Sequence, residues 1–201
     1  MFSKIVLASN NAGKLREFSA LFAGQGIEVL PQSQFAVPDC PEPYGTFVEN
    51  ALAKARHAAR ISGLPALADD SGICLPALGG APGVRSARYA GEPKSDAANN
   101  AKVSAEMAGQ DDRRCYYVCL LVLVRHADDA QPLIAEGLWH GVWQQQPAGG
   151  GGFGYDPHFY LPQYGCTAAE LAAKQKNEIS HRALALRELQ RKMAEFAASG
   201  S

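Results

Sequence analysis

The feature that most constrains this chain is the apolar run Cys119-Leu120-Leu121-Val122-Leu123-Val124, closed by Arg125. It is the length of a strand buried on both faces and far short of the roughly 18 residues that suggest a membrane span. Residues 114–125 therefore predict the main strand, and the rest of the chain must cover it. The flanking pattern alternates strand and helix. Residues 4–8 read as a buried first strand, residues 14–22 carry Leu15, Phe18 and Phe22 at helical spacing, and residues 27–30 suggest a second strand. Thr46 followed by Glu49 is a capping box opening a helix that runs to about Ile61, where Gly63 stops it. Residues 64–68 predict a short buried strand ending at Asp69.

Further along, residues 72–93 are rich in Gly and Pro and predict a long irregular connection. A helix is expected over 96–107. Residues 133–139 with Val142-Trp143 predict a hairpin turning at Gly141, and residues 147–157 are too rich in Gly and Pro for a regular element. A short helix is expected to begin over 167–170, and a final helix to run over 180–196. This alternation favours a mixed α/β fold over a bundle or a sandwich.

With 201 residues, 47% of them hydrophobic, the chain is long enough for a sizeable core. Nineteen basic against twenty acidic residues leave a formal charge of -1, which argues against a nucleic-acid or membrane-surface binder without excluding a nucleotide ligand. The apolar stretch near the start is too short for a signal-peptide core, so a cytoplasmic protein is expected. Five cysteines without a tight ligand cluster read as small buried hydrophobes rather than a disulfide framework or zinc site.

Four segments could carry chemistry. Ser9-Asn10-Asn11-Ala12-Gly13-Lys14 is a turn opening a helix, where backbone N–H groups and a lysine suit phosphate oxygens; an ordinary capped helix start is the bland alternative. Asp69-Asp70-Ser71-Gly72 reads as an acidic turn at the carboxyl end of a strand. It is suited to hold magnesium or activate water, or else is a self-bonded Asp-Ser-Gly turn. Gly149-Gly150-Gly151-Gly152-Phe153-Gly154-Tyr155-Asp156 combines backbone freedom with aromatic faces for a nucleobase. Lys176, Ser180, His181 and Arg182 place a cap and three cations around a helix start, where a bound anion or base carbonyl would compensate for the dipole. Glu42, between two prolines, and Glu49 are further acidic candidates.

In order, these segments resemble the inosine/xanthosine triphosphate pyrophosphatase family. Thr46-Phe47-Val48-Glu49-Asn50-Ala51, Gly79-Gly80-Ala81-Pro82-Gly83-Val84 and Ser86-Ala87-Arg88-Tyr89 extend the likeness over almost the whole chain. The resemblance implies one domain over residues 1–201, with a long mixed β-sheet, flanking helices and two lobes around a central substrate cleft. It implies hydrolysis of ITP, dITP and XTP to the nucleoside monophosphate and pyrophosphate, a requirement for Mg2+, and a homodimer. Other modified or standard nucleoside triphosphates are the alternative substrates, and a nucleotide-binding regulator without turnover is the alternative class.

By the same resemblance, Asp70 activates water and faces the metal, with Glu42 as second metal ligand. Ser9, Asn10, Asn11, Ala12, Gly13 and Lys14 cradle the triphosphate, and Ser71 contacts substrate. Phe153 stacks on the base; Gly154, Tyr155 and Asp156 shape its pocket; Lys176, His181 and Arg182 complete base and phosphate recognition. Many relatives read Thr-Gly-Asn where this chain has Ser9-Asn10-Asn11, so Asn10 is expected to accept a glycine-like backbone. A pocket of donors would favour the oxygen at purine position 6 of hypoxanthine or xanthine over the amino group of adenine.

Overall fold

The structure, a computed structural model, describes residues 3–199, apart from the side chains of Leu21 and Ser199. Its strands are β1 (Lys4–Leu7), β2 (Glu28–Pro31), β3 (Ala66–Cys74), β4 (Arg114–Val124), β5 (Leu133–Trp143), β6 (Phe159–Leu161) and β7 (Cys166–Thr167). Its helices are α1 (Ala12–Ala23), α2 (Phe47–Ser62), α3 (Asp96–Glu106), α4 (Ala173–Ile179) and α5 (His181–Ser199). The seven strands form one sheet in the order β2-β1-β3-β4-β5-β6-β7. β1 runs parallel to β2 and β3, and β6 runs antiparallel to β5 and β7. The sheet is therefore mixed, as the family resemblance implies, within the α/β fold that the alternation predicts.

β4 occupies the middle of that order, and all its residues from Tyr117 to Val124 are buried. A central strand covered on both faces needs the continuous apolar run that the sequence provides. Half of the expected capping box forms: the Glu49 backbone N–H donates to Thr46 Oγ1, while the Glu49 carboxylate accepts from the Thr46 hydroxyl at 2.6 Å in place of the Thr46 N–H.

Two sequence expectations are overturned and a third is shifted along the chain. The acidic segment 69–72 is no turn: β3 continues through it to Cys74, because Ile73 and Cys74 resume the buried pattern after Gly72. Gly141 does not turn a hairpin either. β5 runs straight through it, and a Cβ there would lie 2.8 Å from the Phe159 ring and from the Tyr160 carbonyl oxygen, so glycine allows β6 to pack closely. The short helix expected before the final one does form, as α4, but it begins at Ala173 and not over 167–170, where β7 and a turn stand, with Thr167 Oγ1 and its N–H both bonded to Glu170.

The chain divides into two compact units, and the division falls inside β3, β4, β5 and α5. The first comprises the residues up to Asp70, then Leu120–Glu136, and the chain from Ala185. Its core packs the alanines of α2 (Ala51, Ala55, Ala58 and Ala59) with Val6, Ala66, Ala68, Val122 and Val124. The second comprises Ser71–Cys119 and Gly137–Leu184. Its core is built from larger rings: Tyr117, Trp139, Trp143, Tyr155 and Phe159.

The connection between β4 and β5 is held by Asp129, whose side chain is 1% exposed. It accepts from the backbone N–H groups of Arg125 and Gln131 and from the Arg125 guanidinium. The guanidinium bond is the main cause holding its carboxyl well below the usual carboxylate range, with the backbone donors adding to it. Asp129→Ala is expected to destabilise by roughly 1–2 kcal/mol, since it leaves two part-buried backbone donors and the Arg125 guanidinium without their acceptor. Because the folded carboxyl titrates below the unfolded one, its contribution is complete above about pH 4 and fades as pH falls further. Urea midpoints of wild type and Asp129→Asn should therefore differ at pH 6, begin to draw together below about pH 4, and keep converging to pH 2 and below.

Candidate functional site

The predicted site residues fall into two groups, one in each unit apart from Ser71, which follows Asp70 in β3 at the start of the second unit. The first is organised by β3. Asp69 is 2% exposed and Asp70 half-buried, so two adjacent carboxylates are carried within a strand and need compensation. Lys14, from the first turns of α1, places Nζ 2.8 Å from Asp69 Oδ1 and 2.7 Å from Oδ2. Lys54 of α2 places Nζ 2.6 Å from Glu42 Oε1 and 3.7 Å from Asp70 Oδ1. One ammonium thus gathers Glu42 and Asp70, the two residues expected to hold metal. Asn50, one turn earlier on α2, lies near enough to Asp70 to favour its ionised form and is itself fixed by the Tyr44 backbone through both its amide atoms.

Burial pushes the Asp70 carboxyl up to about 6; Lys54 pulls it down, while Glu42 and Asp69 push it further up. For Lys54, burial opposes the charged form, but Asp70, Glu42 and Asp69 outweigh it and the net shift is upward. Among these five side chains, three carboxylates face two ammonium groups. That imbalance, with hard oxygen donors on Glu42 and Asp70, suits a small divalent cation. Among the described residues, no group of three or more His, Cys, Asp and Glu is arranged to hold a metal, so the protein offers a partial set of oxygen donors.

The turn before α1 is built by its own side chains. Asn11 caps the helix, accepting from the N–H groups of Gly13 and Lys14, and Ser9 Oγ accepts from the Asn11 N–H. Ala12 is the first helical residue. Asn10 is not in the left-handed region, so it needs none of the glycine-like geometry expected of it; its side chain reaches toward Asp39 at 3.5 Å. Glu49, engaged with Thr46, serves the cap of α2. Ser71 lies half-buried in β3 beside Asp70.

The second group is organised by Asp156, which is 2% exposed. Its carboxylate accepts from the Phe153 N–H at 2.7 Å, pairs with Lys176 Nζ, and accepts from the Tyr117 hydroxyl at 3.4 Å. A Cβ on Gly152 would lie 2.2 Å from Asp156 Oδ2, and one on Gly149 would meet the Ala169 backbone. The glycine run thus lets the chain close on itself around Asp156. Phe153 projects outward, 60% exposed, with Lys176 Nζ 4.6 Å from its ring centroid. Tyr155, by contrast, lies in the core, with its hydroxyl 2.7 Å from the Ser86 carbonyl oxygen, and shapes the loop from beneath.

Ser180 Oγ accepts from the Ala183 N–H, as expected of a cap, with His181 and Arg182 beginning α5. The His181 ring stacks on Tyr117 at 4.7 Å and 11°, and lies 6.3 Å from Trp139 at 18°. Arg182 is half-buried beside it.

Sequence reasoning missed Lys54, Asn50 and Tyr117. The first two had a signal: Asn50 and Lys54 are four residues apart, inside the alanine stripe of α2. Tyr117 had none, because an aromatic in a strand reads as core.

Residues 5–192 match the Ham1 family. The chain is 69% identical over 192 residues to a protein of Neisseria meningitidis serogroup A named dITP/XTP pyrophosphatase, covering 95% of this chain and 96% of that one. It is 64% identical to a protein of the same name from Chromobacterium violaceum, covering 98% of this chain and all of that one. The solved structure of a HAM1 protein from Coxiella burnetii superposes with a TM-score of 0.94 at 47% identity, over 96% of this chain and 100% of that one. A mixed sheet with these helices, a carboxylate pair within β3 and a match over nearly the whole length place this chain in the Ham1 family of dITP/XTP pyrophosphatases.

Proposed function

We propose that this protein hydrolyses the deaminated purine nucleotides ITP, dITP and XTP to nucleoside monophosphate and pyrophosphate. The observation that carries this reading is the carboxylate–lysine cluster around Asp70, in a chain so similar to proteins named dITP/XTP pyrophosphatase. Asp70 orients the attacking water and accepts its proton; Lys54 and Asn50 hold the carboxylate in place. Water adds at phosphorus, the bond to the oxygen bridging the α and β phosphates breaks, and pyrophosphate leaves. The N-terminal end of α1 favours the triphosphate through its dipole. Lys14 is set against Asp69 and supplies a charge to phosphate.

Asp70 and Glu42 are the residues that would hold Mg2+, an ion suited to carboxylates shared with substrate phosphates. Bound there with substrate, it would neutralise charge on the phosphate oxygens. In the second unit, Phe153 offers a face for the purine, and His181 and Arg182 offer donors to an oxygen at position 6. Tyr117 stacking fixes the plane of His181. We further propose a homodimer acting in the cytoplasm. Among the described residues, no helix is long and apolar enough to cross a membrane.

Asp70→Asn should lower kcat for ITP by roughly 10²–10⁴-fold, the range a positioned acid–base group contributes, with the thermal melt little changed. Near-normal turnover in that variant would move the chemistry to another group, and release of inorganic phosphate instead of pyrophosphate would overturn the cleavage position. Chelation of divalent ions should abolish ITP hydrolysis and added Mg2+ should restore it; full activity in excess chelator would remove the metal from the scheme. Wild type should prefer ITP to ATP strongly in kcat/KM, and Arg182→Gln should narrow that preference by about tenfold or more. Equal efficiency of wild type toward ITP and ATP would sink the donor-pocket account.

A further inference from the structure

We propose that Asp96 and Asn100 of α3 are positioning residues that hold the Phe153 ring ready for a purine base, an inference that rests on reading Phe153 as the base platform. Phe153 is the most exposed of the large hydrophobic side chains among the described residues. On a glycine-rich loop such a ring would ordinarily have to be ordered by its ligand, at a cost in affinity. Here the backbone is already gripped. Asp96 Oδ2 accepts from the Gly154 N–H at 2.7 Å, and Asn100 Nδ2 donates to the Gly154 carbonyl oxygen at 2.9 Å. Both polar groups of the residue after Phe153 are therefore taken by one helix, from positions four apart on one face. On the other side, the Phe153 N–H is held by Asp156.

The gripping helix is itself anchored. Buried Asn99 accepts from the Ala90 N–H at 2.7 Å and donates to the Ala87 carbonyl at 3.2 Å, and Gln145 donates to the Ser104 carbonyl. The helix start does not need Asp96 as its cap, because Ser95 Oγ already accepts from the Ala98 N–H. Asp96 is thereby available to the loop. Gly154 has φ +62°, a left-handed conformation that L side chains resist, so this peptide is aimed at α3 by a residue suited to that shape. The result is a platform ordered in advance, and its contribution belongs in substrate affinity rather than in the chemical step.

The test is steady-state kinetics with ITP on Asp96→Ala, Asp96→Asn, Asn100→Ala, Phe153→Ala and the double variant Asp96→Ala/Phe153→Ala, each checked by thermal melt. Asp96→Ala and Asn100→Ala should raise KM by about tenfold with kcat within about twofold, as expected when only pre-ordering is lost. Asp96→Asn keeps an acceptor oxygen and should recover most of the wild-type KM. In the Phe153→Ala background, Asp96→Ala should add nothing. If Asp96→Ala fails to fold, Asn100→Ala carries the same comparison. Unchanged KM in both α3 variants, while Phe153→Ala raises it, would overturn the clamp alone. An equal KM rise for Asp96→Ala with and without Phe153 would reduce Asp96 to general support and overturn it too. If Phe153→Ala itself leaves KM unchanged, the base-platform reading falls and the inference with it.

Discussion

Two adjacent carboxylates inside a β-strand are the constraint around which the first unit is arranged. Alternation along β3 sends Asp69 and Asp70 to opposite sides of the strand, so a single lysine is poorly placed to serve both. Two helices answer separately: α1 brings Lys14 to Asp69, and α2 brings Lys54 to Asp70 and Glu42. Of these carboxylates only Asp69 is fully buried, so removing Lys14 would strand its charge at a cost of about 3–5 kcal/mol, because that charge cannot return to water. The same lysines therefore serve the fold and the site. The surplus of carboxylates over lysines keeps the neighbourhood receptive to a cation, and burial keeps the Asp70 carboxyl near neutrality.

A single buried carboxylate plays the corresponding part in the second unit. Asp156 ties the Phe153 backbone, Lys176 and Tyr117 together, and Tyr117 in turn backs His181. Residues from β4, the glycine loop, α4 and α5 are brought to one place by it. The glycines beside Asp156 are required by the chain's own close approach. Phe153 is 60% exposed although its backbone is fixed on both sides, and Lys176 lies over its ring.

Much of this was legible in the chain. The apolar run of β4, the helical spacing of α1, α2, α3 and α5, and the Thr46–Glu49 box all depend on neighbours in sequence, and all form, the box only in half. Expectations that relied on glycine as punctuation were less secure. Gly72 and Gly141 lie within strands, and at Gly141 the reason is steric room for Phe159. A glycine needed for close packing and one needed for a turn look alike until the partner strand is known. Lys54 shows the same limit for charge: its place on α2 is visible in the spacing, but its partners Glu42 and Asp70 come from a loop and a strand distant in sequence.

By itself, the sequence determined the main strand, the four longer helices, which residue types gather in each motif, and, through the ordered motifs, the family. Those properties depend on local periodicity, capping and residue chemistry. Only the tertiary structure decided that the acidic pair lies inside β3, that Lys14 answers Asp69 while Lys54 answers Asp70 and Glu42, and that Asp156 faces inward as an organiser. These are matters of pairing between distant segments, and a carboxylate's neighbours, rather than its own identity, decide whether it holds a loop, a lysine or a water.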